Sequence, residues 1–210
     1  MLLQLLALVI YDVAAQDESY SVENYPDPRT ANGFKECSMR SASFVCDPFT
    51  SLNEGERYRL NTELINFAKR TDEGGNEFCT RKGTTFVLAT NLEADQDFTN
   101  KLFTRFNGDK QCGRFGILVL STADRKLFGA VDSRSPIQIG DIQAIIASEE
   151  ELLRTGKFTS AVVNVLKELA AKQDPLGIDH PTTTPKHDSS GPVNGITMLV
   201  ASSIILNLLN

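Results

Sequence analysis

The chain has 210 residues, of which 41% are hydrophobic and 23% are charged. This composition is typical of a globular domain and excludes a wholly disordered chain, a collagen-like repeat and a multi-span membrane protein. Its 21 basic and 27 acidic side chains give a net charge of −6, and no cluster of Lys and Arg offsets that average. Because nucleic-acid binders need a basic face, we expect no nucleic-acid partner.

The first residues of the chain have the pattern of a targeting signal. Residues 2–11 are almost entirely apolar, which is the length of a signal-peptide core and too short to cross a bilayer. We predict a signal peptide over residues 1–15. The alternative, a buried N-terminal strand or helix, is disfavoured by the abrupt polar run that begins at Gln16. Residues 16–36 are then predicted to be an extended N-terminal segment, and residues 37–172 the folded extracellular domain.

Helices and strands alternate along this domain. The sequence Ser51-Leu52-Asn53-Glu54 predicts a capping box in which Ser51 caps a helix that continues to Thr71. Runs of β-branched and apolar residues predict strands over 84–90, 115–121 and 125–131. Further helices are predicted over 95–106, 137–153 and 158–171. Parallel strands joined by a helix, with helices covering the sheet, indicate an α/β domain built as a three-layer sandwich with a mostly parallel central sheet.

The four cysteines of the chain are Cys37, Cys46, Cys79 and Cys112. An even number in a secreted chain indicates two disulfides, and four cysteines allow three connectivities. We favour a local Cys37–Cys46 clip and a longer Cys79–Cys112 link, because Cys79 and Cys112 each precede one of two neighbouring predicted strands. A zinc site is disfavoured, because no C-x2-C spacing occurs and the predicted domain contains no histidine.

Catalytic side chains are scarce in the predicted domain. Both histidines, His180 and His187, follow it, which removes Ser-His-Asp and Cys-His catalysis. No glycine-rich phosphate-binding motif is present, so nucleotide binding has no support. We therefore predict no catalytic residue.

Carboxylates at strand ends are the remaining candidates for a metal site. Asp47, Asp124 and Asp132 are weak candidates for holding a divalent cation such as calcium, although no cofactor is predicted outright. For Asp47, Asp95 and Asp97 the simpler interpretation is negative charge placed at helix N-termini. For Asp124 it is an ordinary turn residue.

The C-terminal part has the pattern of a membrane tether. Residues 173–190 are rich in Pro and Thr and predict an extended stalk. Residues 191–210 form a hydrophobic tail preceded by small residues, which is typical of a GPI-attachment signal with Ser189, Ser190 and Gly191 as attachment candidates. A short membrane anchor is the alternative. Both place the domain at a cell surface, attached to the membrane by its tail.

Short motifs follow one another in a fixed order between residues 20 and 172. They are Tyr20-x4-Tyr25-Pro26-Asp27-Pro28, Cys37, Val45-Cys46-Asp47-Pro48 followed by Leu52, Arg105-Phe106, Cys112, Ser121-x3-Arg125, Gly129, and Phe158 after Gly156. In order and spacing they resemble the nematode modulator of levamisole receptor family, which belongs to the wider TPM-domain group.

The resemblance implies a TPM-type α/β/α sandwich on an extracellular face. The family's founding member resembles an auxiliary subunit that raises the response of levamisole-sensitive acetylcholine receptors. We therefore expect a non-enzymatic cell-surface protein that modulates an acetylcholine-gated cation channel. Other TPM-domain proteins are linked to acid phosphatase activity or calcium binding, so a metal-dependent phosphatase that uses Asp47, Asp124 and Asp132 is the alternative. A surface adhesion or matrix protein is a third possibility.

Two departures from the family pattern favour the non-enzymatic interpretation. Phe106 stands where the family usually has Trp, and Gly113-Arg114-Phe115 replaces an acidic Asn-Asp pair before the central strand. If that pair carries metal or phosphatase chemistry in relatives, this chain lacks part of it.

Overall fold

The sheet and its helices are seen in a computed structural model, which describes residues 20–74 and 76–173. The helices of this part are α1 (Gly33–Glu36), α2 (Glu54–Arg70), α3 (Gln96–Phe106), α4 (Ile139–Ser148), α5 (Glu150–Arg154) and α6 (Phe158–Gln173). The strands are β1 (Val45–Cys46), β2 (Thr85–Asn91), β3 (Phe115–Ser121) and β4 (Lys126–Val131).

The strands form one sheet in the order β1-β2-β3-β4. β1, β2 and β3 are parallel, because α2 and α3 carry the chain back to the same edge before each new strand. β4 runs antiparallel to β3, since only a short turn joins them. Leu118 of β3 pairs with Leu88 of β2 and with Gly129 of β4. The predicted mostly parallel sheet is confirmed.

Alternating side chains of the central strands feed two separate cores. Phe86 and Leu88 of β2 lie in one core with apolar residues of α2, α4 and α6. Val87 and Ala89 point the other way, into a core shared with α3 and the segment before β1. Because a strand presents successive side chains to opposite faces, burial of both sets requires a layer on each face. This confirms the predicted three-layer sandwich.

The predicted start of α2 is wrong by two residues. Ser51 does not cap the helix, because the Asp47 carboxylate holds the backbone amides of Ser51 and Leu52, each at 2.9 Å, in a preceding turn. The cap is Asn53, whose side chain accepts from the Glu56 amide at 3.0 Å while Glu56 accepts from the Asn53 amide at 2.9 Å. The capping box is therefore Asn53–Glu56.

The single helix predicted over 137–153 is divided in two. α4 ends at Ser148 and α5 begins at Glu150, with Glu149 between them. Glu149 is buried, and its carboxylate accepts a hydrogen bond from Asn164 of α6 at 3.0 Å. That contact ties the junction to another helix, which periodicity within one segment cannot reveal.

The segment before the domain is not extended. Residues 20–36 contain α1, and Tyr25 is fully buried in the core beneath α3. The folded domain thus includes residues that the sequence assigns to a separate segment. Gln173, predicted to open the stalk, is the last residue of α6. The predictions for residues 1–19 and 174–210, which cover the signal peptide, the rest of the stalk and the tail, lie outside the described residues.

Both predicted disulfides are present. Cys37 bonds to Cys46 and Cys79 bonds to Cys112. The Cys37–Cys46 bond joins the end of α1 to β1. The Cys79–Cys112 bond joins the loop before β2 to the loop before β3. Such bonds indicate an extracellular or secreted location. No helix within residues 20–74 and 76–173 combines the length and hydrophobicity needed to cross a membrane.

We predict that Gly129→Ala destabilises the domain by about 1–3 kcal/mol. A methyl group at Gly129 would lie 2.5 Å from Ile142 Cγ2 and 3.4 Å from Leu118 Cδ2, so β4 and α4 would have to separate. The matched control is Gly140→Ala in α4, where nothing lies within 4 Å and a helical alanine should leave stability unchanged or raise it by up to about 1 kcal/mol. Urea denaturation of both variants measures the difference, and equal stabilities would contradict the packing argument.

Candidate functional site

A buried carboxylate lies where β1 ends. The Asp47 side chain is 0% exposed. Its oxygens accept hydrogen bonds from the Ser51 and Leu52 amides, from Thr90 Oγ1 at 2.7 Å and from the Arg57 guanidinium at 3.3 Å. The same guanidinium nitrogen also donates to the Leu52 carbonyl. Asp47 thus binds groups of its own chain on all sides and is not positioned as an open metal ligand. Asp47 lies near the helix entrance predicted for it, where it holds the turn before α2.

Tyr25 completes this buried network from the N-terminal segment. Its hydroxyl donates to the Thr90 carbonyl at 2.5 Å and lies 3.3 Å from the Cys46 carbonyl. Burial raises the pKa of the Tyr25 hydroxyl well above its usual value, and the nearby Asp47 charge adds to the rise. Tyr25 therefore stays neutral and keeps the ends of β1 and β2 together.

Two arginines fasten the N-terminal segment to α3. Arg105 donates to the Val22 and Tyr25 carbonyls, both at 2.6 Å. Arg29 donates to the Phe106 carbonyl at 2.6 Å, pairs with Asp27 and lies over the Phe106 ring. Phe106 is buried and also makes an edge contact with Tyr25.

The other two metal candidates do not join Asp47. Asp124 lies in the turn after β3 and accepts from Ser121 Oγ at 2.7 Å. Asp132 follows β4, and because β4 is antiparallel its end returns to the opposite edge of the sheet, where the Asp132 amide donates to the Phe115 carbonyl. Within residues 20–74 and 76–173, no three His, Cys, Asp or Glu side chains are placed to hold a metal ion. That the protein uses no cofactor stays a prediction, with calcium as the alternative named for it.

Asp132 has a local partner of its own. Arg134 donates to both carboxylate oxygens of Asp132 through its side chain, at 3.0 and 2.9 Å. These bonds, with the Arg134 backbone amide and Asn107, lower the pKa of Asp132 strongly. Arg134 therefore occupies the carboxylate that the phosphatase hypothesis would assign to a metal.

Of the remaining predicted sites, Asp95 and Asp97 behave as expected. The Asp95 side chain caps α3 by accepting from the Phe98 amide at 2.7 Å, and Asp97 lies in the helix's first turn. The lipid-attachment candidates Ser189, Ser190 and Gly191, like His180 and His187, lie outside the described residues.

Two loops at the amino edge of the parallel strands are fixed to each other. We name residues 76–84 and 107–114 the disulfide-joined loops, because Cys79–Cys112 links them. Lys82 of the first loop pairs with Asp109 of the second at 3.1 Å, and Asp109 also accepts from the Cys112 and Arg114 amides. Arg114 in turn pairs with Glu73 at 2.9 Å. These bonds give the loops a defined shape at the surface.

The disulfide-joined loops present an exposed aromatic side chain. Phe78, next to Cys79, is 59% exposed. It is flanked by the charged residues Glu77 and Arg81, whose backbones are joined by a hydrogen bond from the Arg81 amide to the Glu77 carbonyl at 3.2 Å. A rigid aromatic group at the surface is typical of protein–protein contacts. Phe78 is not among the residues predicted from the sequence, where its only signal is a lone aromatic residue in a polar loop beside a cysteine.

Comparison with known proteins identifies the family. The family model described as Modulator of levamisole receptor-1 matches residues 20–125, which is more than half of the chain. The chain belongs to the Modulator of levamisole receptor-1 family. This confirms the resemblance carried by the motifs. No curated protein matches the chain significantly.

Two solved structures are similar to this chain, and one of them shares its fold. The N-terminal domain of a protein from P. gingivalis, determined by NMR, is 18% identical with a TM-score of 0.56, covering 75% of this chain and 93% of that chain. The N-terminal domain of a protein from Corynebacterium glutamicum is 7% identical with a TM-score of 0.45, covering 60% of this chain and 76% of that chain. The first of these likenesses shows the fold alone.

The residues that mark the Modulator of levamisole receptor-1 family are mostly internal. Tyr25, Cys37, Cys46, Asp47 and Leu52 are all buried. They assemble the N-terminal segment, β1 and the start of α2 into one unit. The family motifs within this stretch therefore specify architecture, and surface groups such as Phe78 are the candidates for recognition.

We predict that Asp47→Ala lowers the free energy of unfolding by about 3–5 kcal/mol, because it leaves the buried Arg57 charge and the Ser51 and Leu52 amides without a partner. The matched control is Asp97→Ala, an exposed carboxylate paired with Lys101, which should cost less than about 1 kcal/mol. Denaturant unfolding measures both. The double variant Asp47→Ala, Arg57→Met should recover part of the lost free energy of unfolding. If it recovers none, Asp47 does not stabilise the fold by balancing the Arg57 charge.

Proposed function

We propose that this protein is a non-enzymatic cell-surface auxiliary protein that modulates a ligand-gated cation channel of the acetylcholine-receptor type. Membership of the Modulator of levamisole receptor-1 family is the observation that carries the proposal. The two disulfides support it, since they suit a domain that works outside the cytosol. The predicted hydrophobic tail would hold the domain at the membrane, where a channel could be reached.

A domain outside the membrane changes gating only by binding one receptor state more tightly than another. A preference of about 1–2 kcal/mol changes the ratio of open to closed channels by roughly 5- to 30-fold. An interface with few strong contacts can supply that difference, because a small number of residues carries most binding energy. A membrane tether would raise the local concentration of the domain beside the receptor, so weak binding would suffice.

Phe78 is the side chain we propose for the centre of that contact. It is held on the disulfide-joined loops, so docking orders little additional chain. It is also well exposed, and its apolar surface gains from transfer into a pocket on the receptor. The charged neighbours Glu77 and Arg81 would form the polar rim of such a contact.

Within the described residues, no contact favours the phosphatase hypothesis. Asp47 is enclosed by its own network, and Asp132 lies at the opposite edge of the sheet with Arg134. The three carboxylates that the hypothesis needs do not meet.

The experiment is co-expression with a levamisole-sensitive acetylcholine receptor in oocytes, with levamisole-evoked current as the readout. We expect the wild-type protein to change the current at a fixed levamisole concentration several-fold. Phe78→Ser should remove most of that change at equal surface expression. Ile139→Ser is the matched control, since Ile139 is another exposed apolar side chain, located at the start of α4, and this variant should act as wild type.

The outcomes separate two parts of the proposal. Currents that are unchanged by wild-type protein, with surface delivery verified, would overturn the modulator function. If Phe78→Ser changes the current as much as the wild type does, the modulator function is retained. The contact with the receptor then lies on another face of the domain.

A further inference from the structure

The two disulfides of the domain lie in different surroundings. Cys37 and Cys46 are both 0% exposed and belong to the core beneath α3. Cys79 and Cys112 are each half-buried, on loops at the surface. A thiolate opens a disulfide by attacking one of its sulfur atoms, so exchange depends on access. An external thiol therefore meets the Cys79–Cys112 bond at the surface, while the core shields the Cys37–Cys46 bond.

The disulfide-joined loops stand apart from the hydrophobic cores. Among the described residues, none in 76–84 or 107–114 belongs to either core. Phe78, the large apolar side chain of the first loop, is instead exposed. Regions with few buried apolar contacts open at a lower free energy than the core does. The Cys79–Cys112 bond can thus be broken without unpacking the sandwich.

The first of these loops depends most on the disulfide. Besides that bond, two contacts tie residues 76–82 to other parts of the described chain. Lys82 pairs with Asp109 at 3.1 Å, and the Thr80 carbonyl accepts from the Glu73 amide at 3.1 Å. The Lys82 side chain is 40% exposed, and ion pairs so open to solvent are weak. The loop's other hydrogen bonds join its own residues to one another.

The second loop has a framework of its own. The Asp109 carboxylate accepts from the Cys112 amide at 3.2 Å and from the Arg114 amide at 2.9 Å. Arg134, which follows β4, donates to the Lys110 carbonyl at 2.9 Å. These bonds do not pass through the disulfide. Loss of the Cys79–Cys112 bond should therefore free the first loop and leave the second in place.

We propose that the Cys79–Cys112 disulfide is a redox switch, which a dithiol reductant outside the cell opens to release residues 76–82 while the sandwich stays folded. One thiolate of the dithiol attacks a sulfur atom of the bond, forms a mixed disulfide and expels the other cysteine as a thiolate. The second thiol of the reductant then displaces the first cysteine and closes the reductant's own disulfide. Two electrons and two protons pass from the dithiol to the protein, which ends with two thiols.

The switch also bears on recognition. Phe78 is the neighbour of Cys79, so release of residues 76–82 removes the rigid placement of its ring. A contact made by a mobile loop must order that loop on binding, and the lost entropy weakens the contact. This consequence rests on the proposed channel contact, whereas the opening of the bond does not.

The first test asks which bond opens. The full chain, purified from a secretory host with both disulfides formed, is titrated with dithiothreitol. Free thiols are trapped with iodoacetamide and located by peptide mass spectrometry. We expect Cys79 and Cys112 to be labelled at dithiothreitol concentrations at least about tenfold below those that label Cys37 and Cys46. Labelling of all four cysteines together, or of Cys37 and Cys46 first, would overturn the proposal.

The second test asks what the opened bond releases. Amide hydrogen exchange is compared between the oxidised protein, the selectively reduced protein and the double variant Cys79→Ser, Cys112→Ser. The amides of Arg81 and Lys82 should exchange at least about tenfold faster once the bond is open. The Arg114 amide and those of β2 and β3 should keep their protection. Faster exchange throughout the domain, or none at Arg81 and Lys82, would contradict a local switch.

The double variant also tests the consequence for recognition. In the oocyte assay, Cys79→Ser, Cys112→Ser should lose most of the wild-type effect on the levamisole-evoked current at equal surface expression, as Phe78→Ser does. A full wild-type effect would show that the bond does not control the channel contact. The labelling and exchange experiments contain no receptor, so they judge the switch even if the modulator function fails.

Discussion

The buried carboxylate of Asp47 is the interaction on which the rest of the fold depends. One side chain receives hydrogen bonds from the turn before α2, from Thr90 at the end of β2 and from Arg57 within α2. Because a buried carboxylate is stable only when its oxygens are satisfied, these elements must meet in one arrangement. That arrangement sets where β1 ends and α2 begins, and so fixes the helix layer against the sheet.

The N-terminal segment depends on the same network. β1 has only two residues and cannot hold an edge of the sheet unaided. It is secured by the Cys37–Cys46 bond, by the Tyr25 hydroxyl and by the arginines that join the segment to α3. Many of the motif residues named in the sequence analysis, such as Tyr25, Cys37 and Cys46, are therefore buried in contacts that close one face of the sheet.

The surface proposed for recognition lies away from these buried motif residues. In many open α/β sheets, ligands bind at the carboxyl ends of the strands. Here that edge is occupied by the Asp47 network and by Tyr25. The exposed aromatic group of Phe78 lies on loops at the other edge, away from that network.

The sequence by itself predicted the three longer strands, the long helices and the layers, and it favoured the disulfide pairing that is present. Alternation and helical spacing are local properties, so residues 115–121 could be assigned to a strand and Asp95 to a helix cap without any partner being known. Only the tertiary structure decided that Asn53 rather than Ser51 starts α2, that a helix divides at Glu149, and that Asp132 lies away from Asp47. Each of these outcomes rests on a contact between distant residues, such as Thr90 with Asp47 or Asn164 with Glu149. These long-range contacts override the local preference of each segment for helix or turn. They cannot be predicted from a window of neighbouring residues.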